Sequence, residues 1–150
     1  MPKVNPVYED GFWIGTSATT ASPPVWTYAK LCAGVKAVNE NSNEQNQQAY
    51  YLCGNGGAHN EITGMAPQYD FECDRIAGDT AQDHIAGLKY SFGEARKTSF
   101  KIVEHGKQIV ADATIGNIVT FGGNAIELDK LNFSVFVNGI PTVTDATNSQ

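Results

Sequence analysis

The stretch Thr98–Phe121, TSFKIVEHGKQIVADATIGNIVTF, decides the fold class. In its second half Ile109, Ala111, Ala113, Ile115, Asn117, Val119 and Phe121 take alternate positions, with Asp112, Thr114, Gly116 and Thr120 between them. Successive side chains of a strand point to opposite faces, so this period of two predicts a long half-buried strand. In the first half Thr98, Phe100 and Ile102 alternate with Ser99 and Lys101. His105, Gly106 and Lys107 supply a tight turn between the halves, and the two runs read as an antiparallel hairpin.

Toward the C-terminus, Gly122, Gly123 and Asn124 mark a second turn leading into Ile126–Val137. There Ile126 and Leu128 keep one phase while Leu131, Phe133, Val135 and Val137 keep the other, which predicts a bulge near Asp129 and Lys130. Asn138 and Gly139 followed by Pro141 close that strand, because proline cannot donate to a ladder. Toward the N-terminus, Asp79 and Gln82 read as a capping box, the Asp79 carboxylate accepting from the Gln82 backbone and the Gln82 amide reaching back. The helix it opens runs from Thr80 to Leu88, with Ile85 and Leu88 toward a sheet. Phe12–Gly15, Trp26–Val38 and Ile62–Arg75 read as further strands. The last carries Tyr69, Phe71 and Cys73 on one face and Asp70, Glu72 and Asp74 on the other.

Residues 39–60 break the pattern. Asn43, Glu44, Gln45, Asn46, Gln47 and Gln48 form a polar tract, followed by Tyr50, Tyr51 and Leu52 and then by the turn residues Gly54, Asn55, Gly56 and Gly57. Loops of about twenty residues inside a compact domain tend to be functional. This one holds apolar residues as well, and reads as an extended arm that orders against another copy of the chain. The 150 residues suit a single domain, 1–150, with 39–60 as that inter-subunit arm.

Only 17% of residues are charged, against about 25% in ordinary soluble domains, and the net charge is −6. Such a balance argues against nucleic-acid binding by a basic face. The charge is uneven: residues 40–83 carry −7 and residues 84–107 carry +3, a distribution suited to head-to-tail contact between copies. No apolar run reaches the ~18 residues of a membrane-spanning helix, and the N-terminus lacks a signal-like core, which places synthesis and initial residence in a cytoplasm.

No chemistry-bearing motif emerges. Cys32, Cys53 and Cys73 are widely spaced and read as reduced, partly buried thiols; His59, His84 and His105 are scattered. Asp70, Glu72 and Asp74, about 7 Å apart along a strand, share one solvated setting, unlike hydrolase carboxylates that face each other across a cleft. They match no calcium-loop spacing either, and read as an acidic face. No catalytic, cofactor or metal site is assigned.

Four segments together carry a resemblance: RIAGDTAQDHIAGL at 75–88, GEARKTSFK at 93–101, NFSVFVNGIPT at 132–142 and YYLCGNGG at 50–57. With this order of elements, the chain resembles the major tail (tail tube) proteins of long-tailed bacteriophages of Gram-positive hosts. The resemblance implies a mainly β fold, an antiparallel β-sandwich or half-barrel with one short flanking helix and a long extended loop. It also implies six subunits to a ring, rings stacked head to tail into a hollow conduit for genome ejection, no enzymatic activity and no cofactor. The implied location is the virion, and the implied partners are the chain itself, a tape measure protein and a tail terminator, with DNA passing through the lumen without specific binding. On that footing Asp70, Glu72 and Asp74 face the lumen, and the arm with Asn43–Gln48, Tyr50 and Tyr51 bridges adjacent rings. Other ring-forming components share such patterns: a tail terminator, a baseplate or decoration protein, or the tube of a phage-like contractile injection system. A different class, a monomeric ligand-binding barrel, would line a cavity with Trp26, Phe100 and Phe133.

Overall fold

The computed structural model describes residues 10–21, 24–122 and 124–145; the N-terminal residues read above for a signal, and Gly123 of the second turn, lie outside them. The chain runs β1 (Gly11–Ala18), β2 (Trp26–Lys30), β3 (Val35–Asn41), β4 (Gln45–Tyr50), β5 (Ala58–Gly64), β6 (Gln68–Asp74), α1 (Thr80–Gly87), β7 (Lys97–Glu104), β8 (Lys107–Val119) and β9 (Lys130–Asp145). Seven strands form one sheet in the order β2-β1-β7-β8-β9-β6-β3, and β4 and β5 pair separately. Every pairing is antiparallel.

The predicted hairpin is β7–β8, with Glu104 opposite Lys107 and both turn residues at positive φ, His105 at 47° and Gly106 at 79°. Such a turn matches the right-handed twist of the flanking strands.

The outermost strands, β2 and β3, are consecutive in sequence and joined by only Leu31–Gly34. In a flat sheet of seven strands they would lie about 29 Å apart, six spacings of about 4.8 Å. Five residue steps span at most about 18 Å. The sheet therefore curls until its two ends meet. The Leu31 N–H donates to the Phe12 carbonyl on β1, and the Asp74 N–H at the end of β6 donates to the Gly34 carbonyl, so the short connection is bonded to both sides. Phe12 and Phe71, on strands four places apart in the sheet, meet edge to face at 5.6 Å. The result is a half-barrel around one core that includes Ile14, Phe71, Ile85, Phe100, Ile115, Leu131, Phe133 and Val135.

Gly34 sits at the tightest point, at φ 77°, where a Cβ would fall 2.4 Å from the Asp74 carbonyl oxygen. Phe71 stacks on Phe133 at 4.8 Å and meets Phe100 at 5.9 Å. Phe100 and Phe133 thus fill the interior and do not line a cavity, while Trp26 lies on the edge strand β2.

Several elements differ from their sequence reading. Trp26–Val38 is two strands broken at Cys32–Gly34, and Ile62–Arg75 is two strands broken before Gln68. Alternation alone cannot mark a break that keeps the residues apolar on both sides. Residues 121–129 are an exposed loop with no bulge at Asp129; Ile126 is 96% and Leu128 74% exposed. A bulge falls instead within β8, where Asn117 takes φ 54° and the register shifts between Gly116 and Val119. That shift turns Ile118 toward the core and leaves Val119 and Phe121 in solvent. Asn138–Pro141 does not end β9 either. The strand continues to Asp145, and these residues bulge opposite Ala111, since Val110 pairs with Thr142 and Asp112 with Asn138.

Candidate functional site

Chemistry and recognition concentrate at the surfaces left unpartnered. Along β6, Phe71 and Cys73 are buried and Asp70, Glu72 and Asp74 share the other face, as their alternation requires. The three carboxylates are not equivalent. Asp70 accepts from Ser134 Oγ at 2.5 Å and from Gln68 Nε2 at 2.9 Å, and these bonds, the Ser134 one first, hold its pKa below the ordinary carboxylate value. Asp74 and Glu72 pair with Lys36 Nζ of β3 at 3.2 and 3.8 Å, and the hydrogen bond and charge of Asp74 raise the lysine pKa. The sequence reading missed this compensation because Lys36 lies more than thirty residues away.

The same face continues across the sheet to a cationic end. Trp13 pairs with Lys30 on β2 and with Lys101 on β7, and Lys101 Nζ lies 4.9 Å from the Trp13 ring centroid and 4.8 Å from that of Tyr28. Acids therefore gather toward the β3 edge and cations toward the β2 edge. Both edges present unpaired backbone groups, a liability in a monomer and a template for another chain.

The arm is a β-hairpin rather than an irregular loop, and it spans β4 and β5, beyond the residues 39–60 read for it. Asn43, at φ 47°, fastens its base: its backbone N–H accepts nothing but donates to Asn41 Oδ1 at 3.1 Å, and its side-chain amide donates to the Ala66 carbonyl at 3.1 Å. Glu44, Gln45, Asn46, Gln47 and Gln48 are all exposed. Tyr50, Tyr51 and Leu52 at the far end are 68%, 60% and 103% exposed. A two-stranded ribbon is marginal alone in water, so the arm is built to be completed by contact with something else.

A second apolar surface lies at the opposite end of the sheet. The arm leaves beside Gln68, whereas the loop 120–129 adjoins the Asp74 end, since Asp74 pairs with Lys130. Phe121, Ile126 and Leu128 of that loop are exposed, as are Tyr90 and Phe92 between α1 and β7. Lys89 Nζ donates to Thr120 Oγ1 at 3.0 Å, tying the two loops together. Arg96 stiffens the first by donating to the Lys89, Ser91 and Ile115 carbonyls.

Asp79 caps α1 as read, accepting from the Gln82 N–H at 3.2 Å. The Gln82 side chain does not reach back. It is fully buried, accepts from the Ile76 N–H at 2.8 Å and donates to the Ala33 and Asp74 carbonyls at 2.8 and 3.0 Å. The half-barrel's closing connection claims the amide that a capping box would use. Cys32 and Cys53 are exposed free thiols, and only Cys73 is buried, where loss of solvation pushes its pKa up to about 12. His59 pairs with Glu61 at 2.7 Å on the arm, and burial lowers the His84 pKa. Asp10, Glu104 and His105 bring their ligand atoms within 4.8 Å of one another, a grouping made by the β1–β7 pairing and invisible to sequence spacing. No helix among the described residues is long and apolar enough to cross a membrane.

No family model matches the sequence, and no curated protein matches it. The fold, however, is similar to solved structures over nearly its whole length. A chain of the tail of an empty GTA particle, determined with C6 symmetry, superposes with a TM-score of 0.69 at 12% identity, covering 94% of this chain and 99% of that one. A chain of the sheath-tube complex of an extracellular contractile injection system, in its extended state, superposes with a TM-score of 0.59 at 9% identity, covering 95% and 93%.

Proposed function

We propose that the protein is a tail tube subunit, a structural virion component whose copies form hexameric rings stacked head to tail into a hollow conduit for genome ejection. The observation that carries this reading is the combination of two open sheet edges with a projecting, unsupported arm, in a fold that matches a chain of a six-fold symmetric tail from end to end. Pairing between copies satisfies the edge groups, and ring closure removes the edges. The opposite charge of the two edges favours a heterologous, head-to-tail contact over a two-fold one.

Within that assembly the arm bridges one ring to the next, and Asp70, Glu72 and Asp74 border the lumen, where DNA slides past without being held. Lys36 moderates Glu72 and Asp74, so Asp70 carries most of the repulsion. The tape measure protein and the tail terminator complete the partner set, and assembly occurs in the host cytoplasm. A long-tailed phage of a Gram-positive host fits the sequence resemblance, while the likeness to a chain of a sheath-tube complex favours, as second reading, the tube of a contractile injection system.

Electron microscopy of the purified chain tests the proposal. Hollow rods of uniform width support it, whereas a monomer at high concentration, or single rings that never stack, refutes it. Deleting Asn43–Gln48 is expected to leave rings but shorten or abolish rods; full-length rods from that deletion would remove the arm's bridging role.

A further inference from the structure

We infer that the arm tip, Tyr50–Leu52, of one copy seats on the paired loops at the opposite end of the next copy, against Tyr90, Phe92, Phe121, Ile126 and Leu128. The inference rests on the tube reading and names the receiving surface that reading leaves open. Three observations carry it.

The first is placement. The arm leaves the sheet at Gln68 and the loops adjoin Asp74, the two ends of β6, so donor and acceptor sit about 20 Å apart at opposite poles of one subunit. A contact between unlike poles cannot close on itself and propagates copy after copy along that direction. The acid row on β6 runs toward this junction, so a lumen lined by the row and a seat at its end coexist.

The second is apolar exposure at both poles. Five large side chains, each at least 74% exposed, present on the order of 700 Å² on the loops, above the few hundred Å² that a monomer usually shows. Ile126 and Leu128 also form one wall of an open cleft of about 420 Å³, large enough for the ends of a tyrosine and a leucine. Asn132 Oδ1, a buried acceptor without a hydrogen-bond partner among the described residues, belongs to the same cleft and suits a tyrosine hydroxyl.

The third is charge. Residues 42–66 contain Glu44 and Glu61 and no Lys or Arg, whereas residues 88–97 carry Lys89, Arg96 and Lys97 against Glu94. Like-charge repulsion does not oppose the approach.

The native Cys53, exposed beside Leu52, makes the contact testable. In a Cys32→Ser background, Ile126→Cys adds one exposed thiol at the acceptor pole, while buried Cys73 stays inert. Rods treated with a short bis-maleimide are expected to give a denaturing-gel ladder of trimers and longer species, because each copy joins one neighbour through each pole. The ladder should vanish with Cys53→Ser. Rods that yield no ladder, or only dimers through Cys53 pairs, overturn the inference and leave the tube reading standing; the absence of rods from the unmodified chain overturns both. As an independent check, Leu52→Asp should reduce rod mass at least tenfold in sedimentation while rings persist, and Ile126→Asp should do the same; unchanged rods from both variants refute the contact.

Discussion

Replacing Gln82 by leucine is the sharpest test of how this sheet closes. The side chain is fully buried and makes three hydrogen bonds, from the Ile76 N–H and to the Ala33 and Asp74 carbonyls. Leucine has nearly the same volume, so packing changes little and the polar loss dominates. A net hydrogen bond contributes about 0.5–1.5 kcal/mol, and a buried group left without a partner costs about 1–3 kcal/mol. Three bonds lost from a partly solvated connection therefore amount to about 3 kcal/mol, a large fraction of the roughly 5–15 kcal/mol that holds a domain. With a urea m-value of about 2 kcal/mol/M, the midpoint should fall by about 1.5 M, followed by the fluorescence of Trp13 and Trp26 on unassembled protein. Gln47→Leu, on the exposed arm, should stay within about 0.5 kcal/mol of the parent. Gln82→Glu adds a sign. The buried carboxylate would face two carbonyl oxygens, its folded pKa would rise above the unfolded value, and its penalty should grow as pH climbs above about 4.3. A midpoint shift under about 0.5 M for Gln82→Leu would mean that the amide is not what joins α1 to the closing connection.

Three further outcomes follow from single residues. Gly34→Ala forces a side chain to φ 77° with its Cβ 2.4 Å from a backbone oxygen, and a loss of about 3 kcal/mol should lower the thermal midpoint by about 6–12 °C; a drop under about 2 °C refutes the strain. Because Ser134 and Gln68 depress the Asp70 pKa, that carboxylate stabilises the fold fully above the ordinary value near 3.9 and loses its contribution as pH falls through the lower folded value. Ser134→Ala should raise the Asp70 midpoint in a carboxyl NMR titration, and an unmoved midpoint would discount the Ser134 bond. Cys32 and Cys53 should react rapidly with a thiol reagent at pH 8, and Cys73 only after unfolding; three fast thiols would contradict its burial.

Local physics made some features legible and hid others. The β7–β8 hairpin was readable because alternation and the His105–Gly106 turn agree on one register. Asp79 was readable as a cap because its partner lies three residues away. The exposure of Phe121, Ile126 and Leu128 was not, since a bulge at Asn117 reverses every later side chain in the strand and leaves no composition signal. The arm was visible as a long polar tract between strands. Its pairing as β4–β5 was hidden because Gln and Asn alternate without an apolar face to set the period.

The sequence by itself determined the period of two, the short capped helix, the acidic row on β6 and the low charge of the surface. These depend on residues within a few positions of one another. The tertiary structure alone decided that the sheet curls until β2 and β3 meet. It gave Gln82 to that closure rather than to the cap, set Lys36 beside Glu72 and Asp74, and put the arm and the apolar loops at opposite poles. Each of these joins residues distant in sequence. Such contacts form only when the strand order is in place, and strand order follows from closing one common core, which no local pattern encodes.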